Sequence, residues 1–438
     1  MHINRLAKSI VGVERIKVRG IAIDGAGALV IDAEPYRARS CRCGKCGRDA
    51  PRYDAGRGVR LWRCCDVGGM KAYVRSEAFR VSCPECGIVA REVPWAAHGS
   101  RFTYAFEDTC CWCALSMSKV ACQKLMRVSW RTVGSICSRV EARLSEARPP
   151  VLDGLVRIGV DETSYRRGYK YMTVIVNHDT GAVVWCHDGH GKEVFGEFLS
   201  GLTEEQRASI ELVSADGARW VDEAMAEWLP GAARCIDTFH VVQWATDLLD
   251  EVRKQAWREV ARAARKEPAR RRGRPRKGEE APCGKRKAAA VKGLRYPLLK
   301  NPENLTERQQ AALEMAAISH PRLWRAYLLK EGLRLALKLP ADQIRSAIRE
   351  WRGRAWRSRI PEFVELQKKI ARHLDAIVAT AENGLTNARV ESVNNKIKVI
   401  VRMAYGFRNL DNLFAMVMLR CSGLEVPLPG RPYKTHTL

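Results

Sequence analysis

Two short apolar runs, within residues 155–160 and 171–176, lie on either side of a basic turn, Arg166-Arg167-Gly168. Short runs rich in β-branched and aromatic residues predict strands, so this segment predicts a β-hairpin. Asp161 follows the first run directly and is therefore placed at the end of a buried strand. A carboxylate there costs free energy unless another group pairs with it. The segment alone fits either a structural aspartate that caps a turn or a member of a functional site.

The following segments repeat this arrangement of a strand with an aspartate at its end. Strands are predicted at 183–187, 210–214 and 233–236, and helices at 192–199 and 219–229. Asp216 follows the second of these strands, and Asp237-Thr238-Phe239-His240 follows the third. Three antiparallel strands, a helix and then strand–helix–strand form the order of a ribonuclease-H-like fold, whose sites lie at strand ends. This order favours a carboxylate site that contains Asp161 and Asp216.

The third carboxylate is predicted on a helix far downstream, at 387–398. Its apolar face contains Val390, Val393, Ile397 and Ile400, and its polar row contains Asn387, Glu391, Asn394 and Lys398. Glu391 therefore lies among amides and a lysine, on a face suited to metal and phosphate. An ordinary solvent-exposed glutamate is the alternative. Glu362, Glu365 and Glu382 compete for the same role, but none has a comparable polar row.

Two aspartates and a glutamate together suit the chemistry of phosphodiester bonds. Such reactions use two hard cations about 4 Å apart, one activating the nucleophile and the other stabilising the leaving oxygen. Mg²⁺ takes oxygen ligands and retains several waters, so three carboxylates are enough, and Mn²⁺ could replace it. In this interpretation Asp161 bridges the metals, Asp216 holds one and Glu391 the other. His240, with Asp237 before it, could orient a phosphate or water, although a core or helix-start histidine fits equally well.

A pair of cysteines with two residues between them, followed by glycine, occurs twice in the N-terminal part of the chain. The four cysteines are Cys43, Cys46, Cys83 and Cys86. Each pair points two thiols at one centre, so the two pairs predict a tetrahedral, structural Zn²⁺ site. The interval between them is longer than in many zinc ribbons and would be filled by strands at 59–62 and 72–74. Reduced structural cysteines are the alternative, and Cys41, Cys64 and Cys65 are competing ligands.

Residues 118–126 and 130–140 predict two helices joined by a turn, in which Ser129 can cap the second helix. The inner face of the second helix is formed by Val133, Ile136, Cys137 and Val140. This is the layout of a helix-turn-helix with an exposed recognition helix, but a plain helical hairpin fits the pattern equally well. The predicted DNA contacts are Arg131, Ser135 and Arg139 on this helix and Lys396 and Lys398 on the helix of Glu391.

The net charge of +26 favours a polyanionic partner, either nucleic acid or an anionic membrane surface. No apolar run is long enough to span a bilayer, and the N-terminus lacks a signal-peptide core. We therefore expect a cytoplasmic protein that is associated with the nucleoid through double-stranded DNA. The sixteen cysteines are expected to be reduced, buried or bound to metal rather than paired in disulfides.

The segment from 241 to 380 has few strand signals and predicts a helical insertion with a basic linker at 262–292. The densest basic run of this linker contains Arg272, Arg274 and Arg276. Its Gly-Arg-Pro sequence resembles an AT-hook, which enters the minor groove, but unspecific attraction of a basic linker to phosphates is favoured. Three tryptophans could stack on a displaced base, although tryptophan is more often a core residue. They are Trp324, Trp351 and Trp356.

Together these motifs resemble the DDE transposases of bacterial insertion sequences, specifically the ISL-three family. The similar segments are Gly159 to Ser164, Ser214 to Gly217, Asp237 to His240, Asn387 to Lys398 and Arg402 to Asn409. The cysteine pairs and the helix-turn-helix occur in that family in the same order, so the resemblance covers nearly the whole chain. It implies a catalytic triad of Asp161, Asp216 and Glu391 and transposition without an RNA intermediate. It also implies a helical insertion between Asp216 and Glu391, which agrees with the long interval between them.

We therefore expect an α/β multidomain chain, in which an all-α insertion interrupts a ribonuclease-H-like catalytic domain. The expected parts are an N-terminal segment (1–37), a zinc-ribbon-like module (38–98), a helix-turn-helix (99–148), a two-part catalytic core (151–240 and 381–423), the insertion (241–380) and a tail (424–438). The expected function is to bind the terminal inverted repeats of an insertion sequence and to catalyse metal-dependent strand cleavage and transfer. The alternatives are a DNA-binding regulator and a nuclease derived from a transposase. Synapsis of two DNA ends implies a homodimer or larger assembly.

Overall fold

The computed structural model describes residues 3–36, 41–266, 283–385 and 388–431. Its first part contains the helix α1 (Ile3–Val11) and the strands β1 (Ile16–Ile23), β2 (Leu29–Pro35), β3 (Arg52–Asp54), β4 (Val59–Val67), β5 (Met70–Glu77), β6 (Arg80–Cys83) and β7 (Gly87–Ala90). One sheet has the order β1-β2-β5-β4, and a second has the order β3-β6-β7. The strands predicted at 59–62 and 72–74 are confirmed as parts of β4 and β5.

The four-stranded sheet has one apolar side, because side chains alternate along each strand. Ala72 and Val74 of β5 are fully buried, and they pack with Ile31 of β2 and Trp62 of β4. The ring of Trp62 lies edge-on to that of Trp95, with 5.6 Å between the centroids. The strands before and after the first cysteine pair therefore share one hydrophobic core.

Three helices follow, α2 (Tyr104–Ser116), α3 (Lys119–Met126) and α4 (Trp130–Glu146). The two helices predicted for the helix-turn-helix are confirmed as α3 and α4. Ser118 and Ser129 cap them by accepting hydrogen bonds from backbone N–H groups of the first turn. The turn between them is made by Arg127 in the left-handed conformation, with φ of 53°. The predicted inner face of α4 is also confirmed, because Val133, Ile136, Cys137 and Val140 are all buried.

The central sheet comprises β8 (Arg157–Arg166), β9 (Lys170–Asn177), β10 (Val183–Asp188), β11 (Leu212–Ser214) and β12 (Ala233–Cys235). Its order is β10-β9-β8-β11-β12. The first three strands pair antiparallel, whereas β11 runs parallel to both β8 and β12. The helices between them are α5 (Lys192–Ser200), α6 (Glu204–Ser209) and α7 (Arg219–Trp228). The strands and helices predicted in this region are confirmed, with small differences at their ends.

The described residues between 238 and 385 have only helices as their regular elements, apart from a single 3-10 turn. The helices are α8 (Thr238–Lys266), α9 (Gly284–Gly293), α10 (Arg295–Leu299), α11 (Glu307–Ser319), α12 (Pro321–Ala336), α13 (Ala341–Arg357), α14 (Pro361–Arg372) and α15 (Leu374–Glu382). The helices α8 and α10 to α15 share one core, in which Leu333, Trp351 and Phe363 are fully buried. Since α8 begins shortly after β12, this helical segment is joined directly to the edge of the central sheet.

The last two helices, α16 (Ala388–Met403) and α17 (Leu410–Cys421), return to the central sheet. Val390, Val393 and Ile397 pack in one core with Val174 and Val176 of β9, which confirms the predicted apolar face of α16. α17 packs against both the sheet and α4. The hydroxyl of Ser138 on α4 donates a hydrogen bond of 3.0 Å to the side-chain oxygen of Asn412 on α17. The helix α4 is therefore in direct contact with the last helix of the chain, α17.

No helix within the described ranges is both long and apolar enough to cross a membrane.

Candidate active site and metal centre

The position of Asp161 follows from the alternation of side chains along β8. Ile158 and Val160 belong to the core formed with α5 and α7. Gly159 faces the other side, where α16 packs so closely that an added Cβ would lie 2.6 Å from Val390 Cγ2. Asp161 shares the side of Gly159, because alternate residues of a strand face the same way. The close contact at Gly159 therefore brings the next turn of α16 beside Asp161.

Asn394 is the residue of α16 that contacts Asp161. Its side-chain N–H donates a hydrogen bond of 2.6 Å to Asp161 Oδ2, while Asp161 Oδ1 accepts the backbone N–H of Glu162 at 2.7 Å. Asn394 is only 8% exposed. Its side-chain oxygen is buried and has no hydrogen-bond partner among the described residues. The site therefore contains a buried amide oxygen that is available to accept a hydrogen bond or to coordinate a cation.

Asp216 lies near Asp161 because of the pairing of β11 with β8. Ser214 is opposite Gly159 in this parallel pair, and each aspartate comes two residues later. Burial raises the pKa of Asp161, and the negative charge of Asp216 raises it further, whereas the backbone N–H of Glu162, His240 and Asn394 lower it. Asp216 itself is exposed, and its Oδ1 accepts the backbone N–H of Ala218 at 3.0 Å. The two aspartates predicted to act together are thus electrostatic neighbours.

Glu391 lies about one turn before Asn394 on α16, at the edge of the buried face rather than within it. It is exposed and lines an open groove of 450 Å³ together with Ser392, Asn395, Lys396 and Arg420. Among the described residues, the carboxylate oxygens of Asp161, Asp216 and Glu391 do not all come within 4.8 Å of one another. The structure thus brings the two aspartates into one neighbourhood and places Glu391 one turn before Asn394, facing solvent. Asn387, the first residue of the predicted polar row, lies outside the described residues.

Glu162 is a carboxylate of this neighbourhood that the sequence analysis did not select. Its Oε1 accepts the backbone N–H of Gly191 at 2.8 Å. Burial raises the pKa of Glu162 and the charges of Asp216 and Asp161 add to the rise, against the opposing effects of Gly191 and His190. Asp161 and Glu162 are adjacent in the sequence, but adjacent strand residues normally face opposite sides of a sheet. The local sequence therefore gave no reason to place both carboxylates in one site.

Asp237 and His240 occupy the start of α8. Asp237 is buried, and its Oδ1 accepts the backbone N–H of Phe239 at 2.8 Å, as expected for a residue that caps a helix. His240 is half-buried, and its positive charge would lower the pKa of Asp161. His240 therefore lies close enough to Asp161 to act on a group bound there. Asp237 accepts a hydrogen bond from the backbone of α8.

The four predicted zinc ligands form one cluster. The sulfurs of Cys43, Cys46, Cys83 and Cys86 all lie within 4.8 Å of one another, and those of Cys46 and Cys83 are 3.6 Å apart. Tetrahedral zinc with Zn–S bonds of about 2.3 Å requires sulfurs about 3.8 Å apart, so the cluster has the size of such a site. Gly47 and Gly87, which follow the two pairs, have φ of 72° and 70°, as the motif requires.

The electrostatics differ among the four cysteines: burial and the neighbouring thiols raise the pKa of Cys86 to about 12, whereas the pKa of Cys43 is lowered. Burial would raise the pKa of Cys43, but hydrogen bonds from the backbone N–H groups of Cys46 and Lys45 outweigh it and lower this pKa to about 7. A thiol of this kind readily becomes a thiolate, which is the form that binds zinc. The competing cysteines do not join the cluster; Cys64 is buried in the four-stranded sheet, and Cys65 donates a hydrogen bond to the carbonyl oxygen of Ala105.

The predicted DNA contacts fall into three groups. Arg131 and Ser135 are exposed on α4, and Lys396 and Lys398 are exposed on α16. Arg139 instead donates two hydrogen bonds, of 2.6 and 2.9 Å, to Glu107, whose side chain is 1% exposed. Arg272, Arg274 and Arg276 lie outside the described residues. The structure therefore leaves Arg131 and Ser135 accessible and engages Arg139 within the protein.

The three tryptophans considered for base stacking also differ. Trp351 is fully buried, and its indole N–H donates a hydrogen bond of 2.7 Å to the carbonyl oxygen of Leu329, so it is a core residue. Trp324 stacks on Tyr327, with 5.1 Å between the ring centroids. Trp356 is 59% exposed. The expectation that tryptophan belongs to the core is thus confirmed for Trp351.

Comparison with known proteins matches all three parts of the chain in the same order. Residues 39–86 match the zinc-finger of transposase IS204/IS1001/IS1096/IS1165, and residues 91–141 match the helix-turn-helix domain of transposase family ISL3. Residues 158–417, more than half of the chain, match the transposase model of the same family. The chain belongs to the ISL3 family of transposases. This confirms the family resemblance inferred from the sequence.

Relatives of this ISL3 transposase match most or nearly all of its length. It is 45% identical over 433 residues to the transposase for insertion sequence element IS1557 of Mycobacterium tuberculosis, which covers 98% of this chain and 97% of the relative. It is 26% identical over 342 residues to the transposase for insertion sequence element IS1001 of Bordetella parapertussis, covering 77% of this chain and 78% of that relative. The zinc-finger match contains all four clustered cysteines, and the transposase match contains Asp161, Asp216 and Glu391.

Proposed function

We propose that this chain is a DNA transposase that binds the terminal inverted repeats of an insertion sequence, cuts the DNA there and joins the cut ends to a new site without an RNA intermediate. One observation carries the proposal: Asp161 and Asp216 follow matched positions of two hydrogen-bonded parallel strands, and the charge of Asp216 adds to the rise in the pKa of Asp161. Two acidic groups in a partly buried place repel each other, and a bound cation relieves that repulsion. Membership of the ISL3 family supports the same chemistry.

The oxygen donors around Asp161 fit a hard divalent cation. The buried, unpaired oxygen of Asn394 lies next to the Asp161 carboxylate and adds a neutral oxygen donor to the two aspartates. We propose Mg²⁺, for which Mn²⁺ can substitute. Bound at this place, a pair of such cations would activate the attacking oxygen and stabilise the leaving oxygen. Asp161 is proposed to bridge the two positions, and Asp216 to hold one of them.

Glu391 is proposed as the third carboxylate, because it stands in the family's glutamate motif on the helix that also supplies Asn394. Glu162 is the alternative, since it is half-buried and senses the charges of both aspartates. His240 is proposed to orient a phosphate or a water molecule beside Asp161. Asn394 is proposed to hold the Asp161 carboxylate in one orientation, together with the backbone N–H of Glu162.

We infer that the central sheet belongs to a ribonuclease-H-like fold and that α8 to α15 are a helical insertion. The support is the strand order, three antiparallel strands followed by two parallel ones, with aspartates at the ends of β8 and β11. The division into a zinc module, a helix-turn-helix, a two-part catalytic core and an insertion follows from this. In that division β1 and β2 share a sheet with β4 and β5 of the zinc module.

DNA binding is proposed to involve the exposed Arg131 and Ser135 of α4, with Lys396 and Lys398 contacting DNA near the carboxylates. The four-cysteine cluster is proposed to hold structural Zn²⁺, because four protein ligands leave no position open for a substrate. A homodimer or larger assembly would bring two element ends together. The basic run 270–278 is proposed to attract phosphates without reading their sequence.

The test is a cleavage and joining assay with Mg²⁺ on DNA that carries the element's own ends. Wild-type protein is compared with Asp161→Ala, Asp216→Ala, Glu391→Ala and Glu162→Gln, and with Glu382→Ala as an exposed control. We expect cleavage and joining in the wild type and the control, and loss of both with retained DNA binding in the two aspartate variants. Activity in Glu391→Ala together with inactivity of Glu162→Gln would transfer the third role to Glu162.

Two other outcomes would refute the proposal. Specific end binding without cleavage by the wild type would identify a DNA-binding regulator. Cleavage without any joining of the 3′ end to a second DNA would identify a nuclease. Loss of end binding in Asp161→Ala would mean that this aspartate has a structural rather than a catalytic role.

A further inference from the structure

Behind Asp216, a tryptophan of the helical segment contacts the loop that follows β11. Trp244 of α8 packs against Gly217, the residue after Asp216, so closely that a Cβ on Gly217 would lie 2.3 Å from the indole ring. Any larger residue at 217 would displace this ring or the loop that carries Asp216. The position of Trp244 is therefore tied to the position of the second aspartate.

Lys369 of α14 lies over the other side of this contact. Its ammonium nitrogen is 3.5 Å from the centroid of the Trp244 ring, which is the geometry of a cation–π interaction. Phe363, Leu366 and Ile370 of the same helix are buried in the helical core. The buried side of α14 thus anchors this helix in the helical core, and the contact with Trp244 restrains the side chain of Lys369.

The charges around Lys369 leave its ammonium group without a close anion. In the described part of the chain it forms no ion pair within 4.0 Å, although its neighbour Lys368 pairs with Glu365 at 2.8 Å. Burial lowers the pKa of Lys369; the negative charge of Asp216 opposes this, and Arg372 adds to the lowering. The lysine is thus held near Asp216, is partly removed from water, and would gain from an approaching anion.

We propose that Lys369 binds a backbone phosphate of the DNA strand that enters the site beside Asp216, so that the helical segment supplies a fixed cation to the carboxylate site. This rests on the proposed function, because the anion is taken to be DNA. The indole face of Trp244 is covered by the lysine and its edge by Gly217. This tryptophan therefore positions Lys369 and does not stack on a base.

The test measures binding, so that it does not depend on cleavage. Full-length protein binds fluorescent end DNA in Ca²⁺ at several salt concentrations, and Lys369→Met is compared with Lys368→Met on the same helix. Methionine keeps the contact of an unbranched chain with Trp244 but removes the charge. We expect Lys369→Met to weaken binding by about tenfold and to reduce the slope of log affinity against log salt by about 1, the effect of one lost phosphate contact. Lys368→Met should leave both quantities near the wild-type values.

A second measurement locates the phosphate. End DNA in which single phosphates near the cleavage position are replaced by uncharged methylphosphonates should lose affinity for the wild type at one position only. Lys369→Met should be insensitive to the replacement at that position, and Lys369→Arg should regain affinity for unmodified DNA. Thermal melting of each variant excludes loss of folding as the cause.

Equal affinity and equal salt slopes for wild type and Lys369→Met would overturn the proposal, as would equal losses in Lys368→Met. These outcomes are distinct from failure of the proposed function. A wild type that binds ends without cutting them would refute the transposase activity and leave the Lys369 result standing. Normal DNA cleavage by the wild type, together with wild-type affinity in Lys369→Met, would support the transposase activity and refute the role of Lys369.

Discussion

Replacing Asn394 by alanine separates the stability of this site from its chemistry. The variant loses a 2.6 Å hydrogen bond to the Asp161 carboxylate, which contributes ~1.5–3 kcal/mol for a charged acceptor. It also removes a buried amide oxygen without a partner, whose burial costs about 1–3 kcal/mol. The two effects oppose each other, so the free energy of unfolding should change by less than about 2 kcal/mol.

The effect of Asn394→Ala on the metal site should be larger than its effect on the free energy of unfolding. Without Asn394 the Asp161 carboxylate keeps the hydrogen bond from the backbone N–H of Glu162 but loses its side-chain restraint, and one oxygen ligand for a metal is lost. Residues that orient a ligand typically contribute about 10–100-fold to metal affinity or activity. We expect Mn²⁺ affinity, followed by electron paramagnetic resonance, and end cleavage to fall by that factor, while end binding in Ca²⁺ stays unchanged. The exposed Asn301→Ala is the matched control.

The variant should also change the dependence of stability on pH in metal-free buffer. The pKa of Asp161 is raised in the folded state by burial, and Asn394 opposes the rise. A raised carboxyl pKa stabilises the fold at acidic pH, and this stabilisation is lost as the pH rises through the folded-state pKa. In Asn394→Ala the loss should occur at higher pH, as measured by urea unfolding at a series of pH values. Wild-type metal affinity and cleavage in Asn394→Ala would refute this account of the site.

Three further predictions follow from other contacts. Gly159→Ala should destabilise the protein by about 1–3 kcal/mol and reduce cleavage, because the added Cβ would press on Val390. Gly293→Ala is the control: an added Cβ there has open space in a helix, so thermal melts should show a neutral or stabilising effect. Chelation, or Cys83→Ser, should release one zinc per chain and unfold the module around β6 and β7; mass spectrometry that finds no zinc in wild type would contradict this. Arg139→Ala should cost about 2 kcal/mol of stability, because the buried Glu107 loses its cationic partner and keeps the hydrogen bond from the hydroxyl of Ser100. Arg131→Ala should weaken DNA binding and leave the melting temperature unchanged.

The parts of the fold that could be predicted from the sequence depend on local physics. The strands of the central sheet are short β-branched runs, α3 and α4 are bounded by serine caps, and the cysteine pairs carry their own turn glycines. Each signal spans fewer than about a dozen residues, and each was confirmed with small errors at the ends. The apolar row of α16 belongs to the same class, because helical periodicity alone defines it.

The parts that could not be predicted depend on contacts between distant segments. The strand β2 pairs with β5 across the first cysteine pair and so joins β1 and β2 to β5 and β4 in one sheet, and no local pattern specifies the partner of a strand. Arg139 has the exposed spacing of a recognition residue, but its guanidinium is taken by Glu107 of α2. Lys369 lies near Asp216 because α14 packs into the helical core and Trp244 contacts both Lys369 and Gly217.

In the carboxylate site, too, some features follow from the local sequence and others from contacts between distant segments. The sequence by itself determined where aspartates follow strands, because the alternation of apolar residues and the strand ends are local properties. Only the tertiary structure decided which side chain holds Asp161: the donor is Asn394, 233 positions away, and the separation of Glu391 from it on α16 places that glutamate in the open groove. The physical reason is the close approach of α16 to β8 at Gly159, where the absence of a side chain on the strand sets the depth and rotation of the helix.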